Sequence, residues 1–156
     1  MEIVRGRAIT QEEHTVLRGH AKTGLDLVGF PSDAPPDAII YAIYRYVENW
    51  QSRRHRAQYS HLLRSGPGAD ATAIGLGVVW GDQVVRTLGW EWMFLQHTFA
   101  VVAPEQKWAV HPTDFIRRLL YAGSWGCDEN TVLELYNRLK AGGLPPYSPQ
   151  QYQIFS

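Results

Sequence analysis

The side chains able to do chemistry in this chain are six histidines, one cysteine and fifteen carboxylates, and their spacing assembles no reaction centre. His14, His20, His55, His61, His97 and His111 include no pair at i, i+4 and no H-E-x-x-H, so no helix face offers a metal two imidazoles. Cys127 is the lone cysteine, which rules out a zinc knuckle and an internal disulfide. Its setting, Trp125-Gly126-Cys127-Asp128, matches no nucleophile signature, and it reads as small, inert filling. Gly75, Gly77 and Gly81 approach a dinucleotide loop, but the third glycine is one residue late and no strand precedes it. The expectation is therefore no catalysis, no metal and no cofactor.

Two stretches look suited to recognition instead. Arg45, Arg53, Arg54, Arg56 and Arg64 fall within twenty residues that hold one acid, Glu48, with Tyr46, Trp50 and Tyr59 among them and Tyr44 just before. Such a surface is a solvated helix face, a site for an acidic protein, or a nucleic-acid platform of cations and stacking rings. The second stretch is the loop from Ser124 to Glu129, where Trp125 stands beside Asp128 and Glu129. An aromatic with two acids can plug a basic substrate cleft.

The elements that would position these residues follow from periodicity and punctuation. Thr10 and Glu13 have capping-box spacing and start a helix from about Gln11 to Leu27, with Val16, Leu17, Ala21 and Leu25 as its stripe and Gly19 and Gly24 as weak points. Asp37 opens a second helix to about Tyr59, with Ile40, Ile43, Val47 and Trp50 on one face. Asp70 or Thr72 caps a third, about Ala71 to Leu88, closed by Gly89; its stripe is Ile74, Val78, Gly81, Val85 and Leu88. Ala73, Gly77 and Gly81 recur every four residues, so another element can approach the backbone there. Glu91–Leu95, Phe99–Ala103 and Trp108–Val110 are aromatic and β-branched, and predict a three-stranded antiparallel meander. Pro112 and Thr113 start a fourth helix with Phe115, Ile116, Leu119 and Leu120 as its apolar face. Asp128 caps a fifth, with Val132, Leu135, Tyr136 and Leu139, and residues 143–156 form an extended tail. Helices, then strands, then helices describe an α+β fold: a single domain of about five helices on a small three-stranded antiparallel sheet.

Composition agrees with one globular domain: 156 residues, 45% hydrophobic and 19% charged. Fifteen cations balance fifteen anions, so nothing global draws the chain to nucleic acid or anionic lipid. The polar first residues do not resemble a secretory signal, and no apolar run approaches a bilayer span, which places the chain in the cytoplasm.

The segments Leu76-Gly77-Val78-Val79-Trp80-Gly81-Asp82-Gln83 and Leu88-Gly89-Trp90-Glu91-Trp92 carry a resemblance. A helix of the form L-G-x-x-x-G, then L-G-W-x-W, a hairpin and a Pro-led helix, resembles a family of small bacterial proteins. Some of its relatives are similar to immunity proteins, which neutralise toxins delivered between competing bacteria. The matching stretch runs from about Ala73 to Leu120, under a third of the chain, and Leu135–Gly142 also looks like this group. The resemblance implies packing roles for Gly77, Gly81, Gly89, Trp90 and Trp92, and no catalytic residue. It implies a cytoplasmic immunity-type protein that binds a cognate toxin; the residues themselves, outside the matching stretch, offer two surfaces for that, Trp125, Asp128 and Glu129 or Arg45, Arg53, Arg54 and Arg56. The alternative is a nucleic-acid-binding or regulatory module using Arg45–Arg64, and behind it an enzyme of unfamiliar site. Oligomeric state stays open.

Overall fold

The structure is a computed structural model and describes residues 6–57, 68–104, 108–121, 131–142 and 153–155. Along the chain come β1 (Arg7–Ala8), α1 (Gln11–Val28), α2 (Pro36–Ala57), α3 (Ala69–Leu88), β2 (Glu91–Leu95), β3 (Thr98–Val102), β4 (Trp108–Val110), α4 (Pro112–Tyr121), α5 (Thr131–Lys140) and β5 (Gln153–Phe155). The class is α+β, with five helices among the described residues and an antiparallel sheet.

The capping box forms as its spacing requires. Glu13 N–H donates to Thr10 Oγ1 at 3.1 Å, and Thr10 N–H donates to Glu13 Oε1 at 2.9 Å. Arg7 adds a two-pronged grip on the same carboxylate, Nη1 to Oε1 at 2.7 Å and Nη2 to Oε2 at 2.8 Å. Its guanidinium also lies 4.3 Å from the centre of the Phe94 ring. One arginine thus ties β1, α1 and β2 together. The Arg7 fork and the Thr10 backbone bond hold the Glu13 carboxyl down to about 2.

α3 is the central helix, and its surroundings correct two expectations. Its N-cap is Gly68, with no side-chain cap bond; Asp70 and Thr72 lie inside the helix. Nor does it have a single apolar stripe. Ala73, Leu76, Val78, Val79, Trp80 and Val84 are all buried, while Ile74, Val85 and Leu88 are only partly so. A helix apolar on most sides is one packed on most sides, and α3 touches α1, α2, α4 and α5, with Arg86 and Thr87 left exposed near its end.

Its glycines make those approaches possible. Gly75 meets Gly24 of α1, backbone against backbone, so the residue expected to weaken α1 is instead its crossing point. A Cβ at Gly77 would sit 2.6 Å from Thr113 Cα at the start of α4. A Cβ at Gly81 would sit 2.5 Å from Cη2 of the Trp92 indole. The glycine face therefore lies against neighbours, as its spacing predicts. Along α1, Leu17 and Ala21 are buried as expected, but Val16 is 49% exposed.

The meander of β2, β3 and β4 is present, with Trp92 opposite Val101 and Val101 opposite Val110. Gln96 and His97 turn the first hairpin with φ of 54° and 67°, the left-handed pair of a tight two-residue turn. The sheet is nevertheless larger than three strands. β1 extends it antiparallel beside β2, giving four antiparallel strands, and β5 from the C-terminal segment pairs parallel with β4. A two-residue strand carries no readable period, and a parallel partner from a distant tail leaves no local signal.

The sheet is buried on both faces. Trp92, Val101, Trp108 and Val110 join the helices in the main core. Met93, Leu95, Ala100, Val102 and Ala109 form a second cluster on the other face. This explains why these strands read as continuous apolar runs, not alternating ones. In the main core Trp80 meets Phe115 edge-on at 5.2 Å and donates its indole N–H to the Val132 carbonyl at 3.2 Å. Val132, Leu135, Tyr136 and Leu139 of α5 and Phe115, Ile116, Leu119 and Leu120 of α4 are buried as their periodicity predicts.

Candidate functional site

The sequence-predicted surfaces fare unevenly. Trp125, Asp128 and Glu129, with Cys127, lie outside the described residues, as do Tyr59 and Arg64. Arg53, Arg54 and Arg56 belong to the last turns of α2, and their side chains lie outside the described ones. Arg45 is exposed on α2 but is paired with Glu48, Nη1 to Oε1 at 3.5 Å. The rings between these arginines are largely engaged. Tyr44, Tyr46 and Trp50 pack against the main core, and Tyr46 and Trp50 stack on each other at 6.5 Å. A platform for bases needs its rings free, so the described part of α2 is a helix face over an apolar stripe.

A different feature stands out among the described residues: an open cleft of about 660 Å³ between α1, α3 and the loop that follows α1. Its α1 side carries His14, Arg18 and Lys22, spaced by four, beside Ala21 and Leu25. Its α3 side carries Val79, Asp82, Gln83 and Arg86. Phe30, Pro31 and Ser32 border it, and Trp92 closes it from the sheet.

The local sequence explains each placement. Gly29 takes a left-handed conformation (φ 75°) and returns its N–H to Leu25 O at 2.8 Å, so the chain leaves α1 sharply and Phe30 stays at the surface. Arg86 then fastens the loop. Its Nη1 donates to Ser32 O at 3.2 Å, Ala34 O at 2.9 Å and Gln83 Oε1 at 2.8 Å. Gln83 is itself buried and donates Nε2 to Val79 O.

Asp82 is the hinge of the charge pattern. Its Oδ1 accepts from Arg18 Nη2 at 2.7 Å and from the Trp92 indole N–H at 2.9 Å. Arg18 is therefore balanced by Asp82. Arg86, by contrast, meets only neutral oxygens, and Lys22 has no ion pair among the described residues.

No family model, curated protein or solved structure matches this chain.

The chemistry must then be read from the residues themselves. No cluster of three or more metal-ligating side chains occurs among the described residues, and no described helix is long and apolar enough to cross a membrane. What the cleft can do is bind: it combines partly exposed apolar side chains of Leu25 and Val85, an exposed ring at its mouth, and one cation in excess of its acids. Sequence reasoning missed it. The α1 half was visible as a basic row at i, i+4, i+8 beside the apolar stripe, but the α3 half lies some sixty residues away and no local pattern joins them.

Proposed function

We propose that this protein is a cytoplasmic, immunity-type recognition protein, which binds a cognate bacterial toxin domain and covers its active site or substrate entrance without chemistry of its own. The observation that carries the reading is the cleft: an open, part-apolar recess with a rim of mixed charge, one cation in excess, and an exposed aromatic at its mouth. Buried aromatic and arginine anchors within a polar rim are the usual energetic centre of a protein interface. The L-G-x-x-x-G and L-G-W-x-W resemblance points the same way. Gly77, Gly81 and Trp92 pack as a fold device, consistent with function residing on the surface around them. The nucleic-acid alternative is favoured less, because Arg45 is paired and three of the interleaved rings pack against the core.

The test is protection. The chain is co-expressed with the toxin-like product of a gene adjacent to its own, and growth and complex formation are measured. Rescue of growth with a stoichiometric complex is expected. Removing Trp125, Asp128 and Glu129 together, or Arg45, Arg53, Arg54 and Arg56 together, then tells whether either outlying surface joins the interface. Full toxicity with no complex overturns the reading. So does binding to single-stranded RNA whose affinity falls steeply with salt, the mark of phosphate contacts.

A further inference from the structure

We infer that the cleft between α1, α3 and the Phe30–Ser32 loop is a receptor for an apolar side chain flanked by carboxylates, the chemistry of an acidic segment of a partner protein. The identity of that partner rests on the recognition reading above; the ligand class rests on the cleft alone.

Three observations carry it. The first is size and character. About 660 Å³ falls within the range of roughly 300–1,000 Å³ typical of ligand sites. Leu25 and Val85, both partly exposed, supply apolar surface over the buried Ala21 and Val79, and Phe30, 36% exposed, offers a ring at the edge that a docked apolar group would cover.

The second is a pre-set cation. Arg86 is held through Nη1 alone, by two loop carbonyls and Gln83. Its Nε and Nη2 donors have no partner among the described residues. That edge of the guanidinium matches the two oxygens of a carboxylate, and a side chain already fixed loses little freedom on binding.

The third is the balance of charge. Arg18 and Asp82 cancel, which leaves Arg86 and Lys22 against Asp26 among the groups lining the cleft. The excess is cationic but small, and two acids share the rim. One net cation is too little to hold a polyanion such as nucleic acid, whereas a short peptide can set one carboxylate on Arg86 and its apolar neighbour beside Leu25, Phe30 and Val85. Charge and apolar surface together therefore select an acidic, apolar-tipped protein segment.

The experiment needs no toxin. Anilinonaphthalene sulfonate, an aromatic anion, and N-phenyl-1-naphthylamine, its uncharged counterpart, are titrated into the full chain and fluorescence is recorded. The anion should bind one to one and about tenfold more tightly than the neutral probe. Lys22→Glu and Phe30→Ser change exposed side chains that hold no described element in place, so both variants stay folded. Each should weaken the anion by about threefold or more. An acetylated Glu-Phe-Glu peptide should displace the probe, and a Lys-Phe-Lys peptide should not. Equal binding of the two probes, indifference to both substitutions, or equal displacement by the two peptides would overturn the receptor. Those results leave the protection assay to decide the immunity reading by another face. Selective binding with no protection would overturn the immunity reading and keep the receptor.

Discussion

Replacing Gly77 by alanine adds one methyl group to the most crowded point of α3. The new Cβ would lie 2.6 Å from Thr113 Cα, 2.8 Å from Thr113 N and 2.9 Å from the Pro112 carbonyl carbon. All three are backbone atoms, so no side chain can swing aside. Ordinary contact begins near 3.4 Å, and α4 must therefore retreat by roughly 1 Å, enough to weaken close packing along the interface. Phe115, Ile116 and Leu119, all nearly fully buried, ride on that helix and move with it. Overpacking of this kind costs about 1–3 kcal/mol. Alanine recovers about 1 kcal/mol of helix propensity over glycine. The net is a loss of up to about 2 kcal/mol, or up to roughly 8 °C in Tm for a domain of this size, and a deficit of about 1–3 kcal/mol against a helical glycine with open space around it. Gly19→Ala supplies the control. It too lies within a helix, α1, but a Cβ there would meet nothing within 4 Å. It should gain the propensity term alone, about 1 kcal/mol and roughly 2–4 °C. Urea unfolding followed by circular dichroism reads both. If Gly77→Ala is stabilised as much as Gly19→Ala, α4 does not sit against Gly77 and the packing account of the L-G-x-x-x-G motif is wrong.

Other outcomes follow from the same contacts. The Glu13 carboxyl is held at about 2, below its ordinary 4.5, so its contribution to stability is complete above 4.5 and is lost as pH falls toward 2. The stability difference between parent and Glu13→Gln should thus be largest at neutral pH and shrink across that window; urea midpoints that differ equally at pH 7 and pH 2 would contradict it. Asp82→Ala leaves the Trp92 indole N–H, on a residue only 6% exposed, without its acceptor, and should cost about 1–3 kcal/mol. Asp82→Asn keeps an acceptor oxygen and should lose less, with equal losses in the two variants counting against the bond.

Periodicity revealed the elements whose partners are adjacent or whose faces are simple. α4 shows this best: Phe115, Ile116, Leu119 and Leu120 recur at helical spacing, and all are buried. α3 shows the limit. A helix buried on most of its sides has no single stripe: of Ile74, Val78, Gly81, Val85 and Leu88, only Val78 and Gly81 are fully buried. The outer strands show another limit, because pairing of Arg7–Ala8 with β2 and of Gln153–Phe155 with β4 joins residues far apart in sequence. Gly24 reads as a defect in α1 until Gly75, fifty-one residues later, is placed against it.

The same reasoning separates fold from function in this chain. The residues that make its sequence distinctive, Gly77, Gly81, Gly89 and Trp92, are spent on helix crossings, a helix end and an indole lid over α3. They specify where α1, α4 and the sheet meet α3. What that meeting leaves open is the cleft, whose exposed lining is made of residues that do not hold the crossings: Lys22 and Phe30 could change without moving α3. Asp82 and Arg86 belong to both systems, one tying Trp92 to Arg18 and the other fixing the loop beside the cleft. A substitution at either should therefore alter stability and binding together, whereas Lys22 and Phe30 should alter binding alone. That difference in response is what marks a recognition surface built on a scaffold, as opposed to a scaffold that merely has a gap in it.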